Sequence, residues 1–233
     1  MALGSADGTW NYQDLTVYGG SGSFIEGECE KSRVAFVPCA EVPSLTFFRN
    51  QAEYPSGKFQ DIAASQEPAV KTVYELGIMD GQSDNRFDPS GSLTVAEAVK
   101  MAAMVNNTYN GFNGVFPVQQ QNVAWYHPYV NYCVALGIMT GMEFTDYNQP
   151  VTRAQMAYLF ANALPEQELA EISDMPTFPD VTEQTPYHES IEALQKAGIV
   201  IGDENGYRPD DTISRLEAAI IISREAVPDM RIA

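Results

Sequence analysis

One layout of residues occurs three times along this chain, and no other sequence feature limits the possible folds so strongly. The first copy runs from Phe59-Gln60-Asp61-Ile62 through Glu75-Leu76-Gly77-Ile78-Met79-Asp80-Gly81 to Leu93-Thr94-Val95-Ala96-Glu97. The second starts at Phe116-Pro117-Val118, continues with Ala135-Leu136-Gly137-Ile138-Met139-Thr140-Gly141 and reaches Val151-Thr152-Arg153-Ala154-Gln155. The third starts at Phe178-Pro179-Asp180-Val181, continues with Lys196-Ala197-Gly198-Ile199-Val200-Ile201-Gly202 and reaches Ile213-Ser214-Arg215-Leu216-Glu217. Equivalent Thr and Ser residues lie 58 and 62 positions apart, from 94 to 152 and from 152 to 214. Such a period implies one supersecondary unit used three times, none of which buries its apolar face alone.

Each copy reads as two helices joined by a loop. Seven and four positions before the first Gly of each G-I-x-x-G stand apolar residues, Val70 and Val73, Val130 and Cys133, Ile191 and Leu194, which is the spacing of one helical face. Gly77, Gly137 and Gly198 then stand where a left-handed residue ends a helix. Turn-rich loops follow, Asp84-Asn85-Arg86-Phe87-Asp88-Pro89 in the first copy and Asn205-Gly206-Tyr207-Arg208-Pro209-Asp210 in the third. The second helix opens on a capping box in every copy: Thr94 with Glu97, Thr152 with Gln155, Ser214 with Glu217. Beyond the cap, Ala98, Val99 and Ala102, then Met156, Ala157 and Phe160, then Ala218, Ala219 and Ile222 predict a buried stripe.

The first 58 residues follow another pattern. Leu15–Tyr18, Val34–Val37 and Leu45–Phe48 are short, β-branched or aromatic runs between Gly, Pro and Ser clusters, and they predict strands. So short a segment rarely stabilises a core alone, so it either packs on the repeats or ends an upstream domain. The expected domains are therefore a β-rich segment over 1–58 and repeats over 59–114, 115–170 and 171–233.

Charge removes several functions. Lys and Arg number 13 against 31 Asp and Glu, a formal net charge of −18, so binding to nucleic acid through phosphate neutralisation is disfavoured. Residues 1–58 hold four of the basic and seven of the acidic residues, net −3, and the remainder holds nine and 24, net −15, so the acidity belongs to the repeats. No stretch approaches the ~18 apolar residues of a membrane span. Met1–Asp7 has neither the basic start nor the apolar run of a signal peptide, so the chain either stays inside the cell or is a segment of a longer exported one.

Catalytic and metal motifs are also missing. The 3 cysteines form no CxxC pair, and the 2 histidines, His127 and His188, stand at equivalent positions that suit surface or capping roles. Cys133 is expected as a buried free thiol, and Cys29 and Cys39 as a pair that an exported protein can either bond or leave reduced. A calcium loop starting at Asp80 fails, because Asn85 stands where Gly is needed and Gly91 where Glu is needed. We expect no cofactor, no metal and no enzymatic activity.

Taken together, F-x-D, L-x-x-G-I-x-x-G, F-x-P and the capping motif resemble the S-layer homology repeat, over roughly residues 59–228. The resemblance implies a mainly α fold in which three helix-loop-helix units form a pseudo-threefold assembly around a central helical bundle. It also implies a non-catalytic module of the bacterial cell wall or S-layer, extracellular, that binds an anionic and often pyruvylated secondary cell-wall polysaccharide in grooves between repeats. The family's key motif falls on residues 93–97, 151–155 and 213–217. Val95 departs from it by replacing an arginine, and Gln155 by replacing an acid.

Arg153 and Arg215 stand directly after their caps, at the positive end of a helix dipole, where a cation is disfavoured by ~0.3–1 kcal/mol. Something other than helix stability must place them there. A guanidinium beside free N-terminal amides makes a receptor for a carboxylate, so Arg153, Arg215, Thr152, Ser214, Gln155 and Glu217 are the expected ligand residues. Trp125, with Tyr126, Tyr187 and Tyr207, could stack on sugar rings or serve as packing, and Gly81, Gly141 and Gly202 would let a ligand approach the backbone. The bland alternative is that each arginine simply pairs with a neighbouring acid. On the ligand reading, changing both arginines to alanine spares the fold, since Thr152 and Ser214 still cap. Two rival functions stay open: a self-assembling surface-layer protein with empty grooves, and the anchor of an upstream enzyme.

Overall fold

The computed structural model describes residues 16–19, 35–38 and 48–232, except 113, 115, 117–122, 175 and 177. It divides into two compact units, Met1–Thr46 and Phe47–Ala233. In the first, β1 (Thr16–Gly19) and β2 (Ala35–Pro38) pair in parallel, with Thr16 opposite Ala35 and Gly19 opposite Pro38. Of the third expected strand only Phe48 is described, and it lies in no strand. Met1–Asp7, Cys29 and Cys39 lie outside the described residues.

The second unit carries two helices per repeat: α1 (Glu67–Glu75) and α2 (Val95–Tyr109), α3 (His127–Ala135) and α4 (Arg153–Ala161), α5 (His188–Lys196) and α6 (Arg215–Ala226). Short 3₁₀ turns span Glu166–Leu169 and Pro228–Met230. None of the described helices is long and apolar enough to cross a membrane.

α1, α3 and α5 stop by one device. Gly77, Gly137 and Gly198 adopt φ of +68°, +71° and +69°. Their N–H groups donate to the carbonyls of Tyr74, Val134 and Gln195, and the next Ile donates to Val73, Cys133 and Leu194. That is the Schellman closure. α2, α4 and α6 start on complete capping boxes, in which Thr94, Thr152 and Ser214 accept from the amides of Glu97, Gln155 and Glu217 and their own amides donate back. All nine stripe residues after the caps are buried, as are Val70, Val73, Cys133, Ile191 and Leu194, whereas Val130 is only partly so.

The repeats join head to tail. α2 packs on α3, α4 on α5, and α6 returns to α1, while α2 also touches α4 and α6. The helix starts follow the same order. Val95 and Ala96 donate their N–H to the carbonyls of Gln149 and Tyr147 in repeat 2. Arg153 and Ala154 donate to Asp211 and Pro209 in repeat 3, and Arg215 and Leu216 donate to Gly91 and Pro89 in repeat 1. Amides that an isolated helix leaves unpaired are thus satisfied by the loop of the next repeat.

Repeat 2 departs from its siblings at one helix end. In repeats 1 and 3 an extended segment straps the end of the first helix: Gln51 and Ala52 donate to the Glu75 carbonyl, and Ile172 and Ser173 to that of Lys196. Leu76 and Ala197 are buried there. Among the described residues no strap reaches Ala135, and the equivalent Leu136 is 54% exposed.

Candidate functional site

The loops that receive the helix starts are fixed by the Asp of F-x-D. Asp180 accepts from the amides of Tyr207 (2.8 Å) and Arg208 (2.7 Å), and Asp61 from those of Phe87 and Asp88 (both 2.8 Å). Each carboxylate holds a residue in the left-handed region, Arg208 at φ +57° and Asp88 at φ +63°, where a non-glycine residue needs such support. Burial alone would raise the pKa of Asp180, but the two amides and the nearby Arg153 outweigh it and hold it below the usual carboxylate range. A group depressed in the folded state stabilises above its unfolded value of about 4 and loses that stability as pH falls through the folded value. Asp180→Asn is therefore expected to lose about 1–2 kcal/mol at pH 7. Urea titrations at a series of pH values check this: the gap to wild type should close below about pH 4.

Both motif arginines reach across a junction into the loop so fixed. Arg153 donates from Nε to the Tyr207 carbonyl (2.6 Å) and from Nη1 to Glu217 Oε1, with its guanidinium 4.8 Å from the centre of the Tyr207 ring. Arg215 donates from Nε to the Phe87 carbonyl (2.9 Å) and from Nη2 to the Asp80 carbonyl (2.6 Å), with its guanidinium 4.9 Å from the Phe87 ring centre. Phe178 and Phe59, the first residues of F-x-D, pack against those rings at 5.2 and 5.6 Å.

This geometry corrects one expectation and decides one alternative. The N-terminal amides of α4 and α6 are not free, because the carbonyls of the next repeat occupy them. Tyr207 is not open for stacking on sugar, since it is 1% exposed between Phe178 and Arg153. The arginines are themselves 8% and 6% exposed. What outweighs the unfavourable helix dipole is first of all the latch across the junction.

The register of these bonds makes the two departures from the motif a single one. Arg153 of repeat 2 meets Glu217 of repeat 3. Arg215 of repeat 3 is drawn by the charge of Glu97 in repeat 1, although burial pulls its pKa down. By the same register Val95 of repeat 1 falls at the junction with Gln155 of repeat 2, so cation and anion are lost together at junction 1/2. Counted from the cap, Thr145 stands in the column of Phe87 and Tyr207, but it is exposed, and the buried aromatic of this loop is Phe144, one position earlier.

Junction 2/3 contains a cleft of about 210 Å³ lined by Arg153, Glu217, Arg224, Ile199, Val200, Ile201, Ile220 and Ile221. No hydrogen bond is seen from Arg153 Nη2 among the described residues, and Arg224 spends Nη1 on the Ile199 carbonyl (2.9 Å). The remaining guanidinium donors stand over an apolar floor. Burial raises the Glu217 carboxyl, yet its bonds from Ser214 and the charge of Arg153 bring it down overall. Thr152 and Ser214 remain caps, and Gln155 closes its box.

The other expected residues are dispersed. Trp125 is 54% exposed and touches Tyr126 and Tyr129 edge-on. A side chain added at Gly81 or Gly202 would run into Phe59 or Phe178, so these glycines make room for the protein's own rings. Gly141 is exposed with φ +88°. Tyr187 stacks on Tyr158 at 4.6 Å, and Tyr126 on Tyr147 at 4.9 Å. Cys133 is a buried free thiol, pushed up to about 12 by burial. Arg224 and Lys100 were not singled out from sequence: they stand ten and six positions after their caps, in columns that hold no cation in the other two repeats.

Comparison with known proteins follows the same three units. The S-layer homology domain model matches residues 58–99, 120–157 and 177–219. Over 176 residues the chain is 27% identical to the surface-layer 125 kDa protein of Lysinibacillus sphaericus, an alignment that takes in 71% of this chain and 14% of that protein. It is 25% identical over 158 residues to the S-layer protein sap of Bacillus anthracis, covering 67% of this chain and 19% of that one. The exoglucanase XynX of Acetivibrio thermocellus is 33% identical over 102 residues, 43% of this chain and 9% of the enzyme. The chain thus spans under a fifth of the length of each of these relatives. A module of this kind anchors and does not catalyse, and it is found at the cell surface in association with wall polymers. With three copies of the domain matched in series, and with the glycine closures and capping boxes of the repeat present in all of them, the chain belongs to the S-layer homology domain family.

Proposed function

We propose that the chain anchors its parent polypeptide by holding an anionic, pyruvylated secondary cell-wall polysaccharide at the two junctions that carry an arginine. On this reading the head-to-tail bonds describe a pseudo-threefold assembly around α2, α4 and α6, with repeats at 59–114, 115–170 and 171–233. The single observation that carries the reading is the 2/3 cleft, where the spare donors of Arg153 and Arg224 meet an apolar floor. A carboxylate on a sugar ring suits that pairing: the fork takes the anion and the isoleucines take the ring. At junction 3/1 the corresponding arginine is Arg215, drawn by the charge of Glu97, and Ser214 and Glu217 shape the helix start as Thr152 and Gln155 do in repeat 2. Trp125 and Gly141, both exposed in repeat 2, have the weaker claim to ligand. Because the net charge is −18, long-range attraction to an anionic polymer is absent and recognition rests on these few cations at short range. The likeness to an exoglucanase supports a role as the anchor of a larger enzyme as readily as of a surface-layer protein.

Sedimentation with purified cell walls tests the reading. Wild-type chain should co-sediment with intact walls and stay in solution with walls stripped of their secondary polymer. An Arg153→Lys/Arg224→Gln variant, which keeps a cation at the latch, should lose most of that binding with its circular dichroism unchanged. Equal retention on stripped walls would refute a glycan ligand, and concentration-dependent assembly without wall binding would favour the self-assembling alternative.

A further inference from the structure

Repeat 2, whose junction with repeat 1 lacks the arginine, carries a different device. The Glu143 carboxylate accepts from three successive backbone amides, Thr140 (2.8 Å), Gly141 (2.9 Å) and Met142 (3.0 Å), and from the Tyr158 hydroxyl (2.7 Å). Consecutive amides converging on one point form a concave anion receptor, and a carboxylate filling it satisfies them all. Burial opposes the ionised form of Glu143, but these donors outweigh it and bring its pKa down to about 2.

The position of this receptor matters more than its strength. Counting from the helix-ending glycine, Thr140 matches Ile201, and counting from the cap, Tyr158 matches Ile220. Ile201 and Ile220 both line the 2/3 cleft. Glu143 is therefore anchored by the two residues of repeat 2 that correspond to cleft-lining residues of repeat 3. The cations of the other junctions have no counterpart here: Arg153 and Arg215 correspond to Val95, and Arg224 corresponds to Asn162. The repeats without such a receptor close this turn differently, with Gln82 and Ser83 donating to the Arg86 carbonyl and Asp203 to that of Gly206.

We infer that junction 1/2 is a self-occupied ligand groove, in which Glu143 supplies the carboxylate that an external anionic sugar brings to the other two. Its amide receptor takes a carboxylate, but the chain fills it from within, so the module engages its polymer at two grooves and not three. The inference rests on the proposed function for what the grooves bind. The receptor itself is independent of it.

Amide NMR of the full chain, titrated with acetate at neutral pH, separates the two claims. In wild type the amides of Thr140, Gly141 and Met142 should show no saturable shift, because the tethered carboxylate competes at high effective concentration. In Glu143→Ala the same three amides should respond saturably, with an apparent affinity at least about tenfold higher. Glu143→Gln, which keeps the side-chain volume and one acceptor, should respond weakly and serves if the alanine variant is poorly folded. A saturable response of these amides in wild type, or none in either folded variant, overturns the inference. If the variants respond but no form of the protein binds walls, the receptor stands and the glycan reading fails.

Discussion

Arg153→Ala should lower the free energy of unfolding by about 3–5 kcal/mol, a large share of what a unit of this size has. The side chain is 8% exposed and serves the Tyr207 carbonyl and the Glu217 carboxylate. Hydrogen bonds to a charged group contribute about 1.5–3 kcal/mol each, and truncation leaves both acceptors without their donor. Against this, relief of the helix dipole returns at most about 1 kcal/mol, so the loss prevails. Arg215→Ala removes donors from the buried Phe87 carbonyl and the part-buried Asp80 carbonyl and should behave alike. Urea unfolding followed by circular dichroism checks both. The expectation from sequence, that the pair could be truncated with the fold intact because the caps remain, is reversed by the structure: the caps hold their own helices, whereas the arginines hold one repeat to the next. A variant as stable as wild type would show that the latch contributes nothing. It follows that alanine substitution at these positions cannot measure ligand binding, since fold and groove fail together, and the lysine variant is the proper probe.

Gly198→Ala should cost about 3 kcal/mol or more, while the same change at Gly137 should cost only about 1–2 kcal/mol. Both glycines end a first helix in the left-handed region, at φ +69° and +71°. That shared conformation sets the smaller figure, the penalty of a Cβ at positive φ. The difference comes from the surroundings. A Cβ on Gly198 would overlap the Ile232 carbonyl oxygen and approach the Ile232 amide and the Ile172 side chain within 2.9 Å, whereas a Cβ on Gly137 meets nothing within 4 Å. Relief at Gly198 requires the backbone at 232 to move, which breaks the bond from the Ile232 amide to the Gly198 carbonyl (2.9 Å). Thermal melts of the two single variants give the comparison directly. Equal losses would mean that the contact with the C-terminal segment is not maintained in solution.

Much of this could be read from the residues. Helix ends and starts depend on contacts within a few positions, and Gly77, Gly137, Gly198 and the Thr/Ser-x-x-Glu/Gln boxes state them directly. The buried stripes followed from periodicity, which is equally local. The limits of that reading are visible at Tyr207 and at the N-terminal amides. Their fate depends on the loop of another repeat some 54 residues away, as in the bond from Arg153 to Tyr207, and no spacing rule within one repeat reports it. Glu143 was passed over because one acid among 31 carries no local mark. Its meaning appears only when three amides and a tyrosine from the following helix converge on it.

The sequence by itself determined that there are three units, where each helix begins and ends, which faces are buried, and which family the motifs belong to, because all of these are set by short-range geometry repeated in register. Tertiary structure alone decided what the motif arginines bond to, that Val95 and Gln155 fall at one junction, and which donors converge on the Glu143 carboxylate. The first two outcomes are properties of pairs of repeats, set where the start of one helix meets the loop of the next, and a linear pattern holds no record of which residues will share a junction.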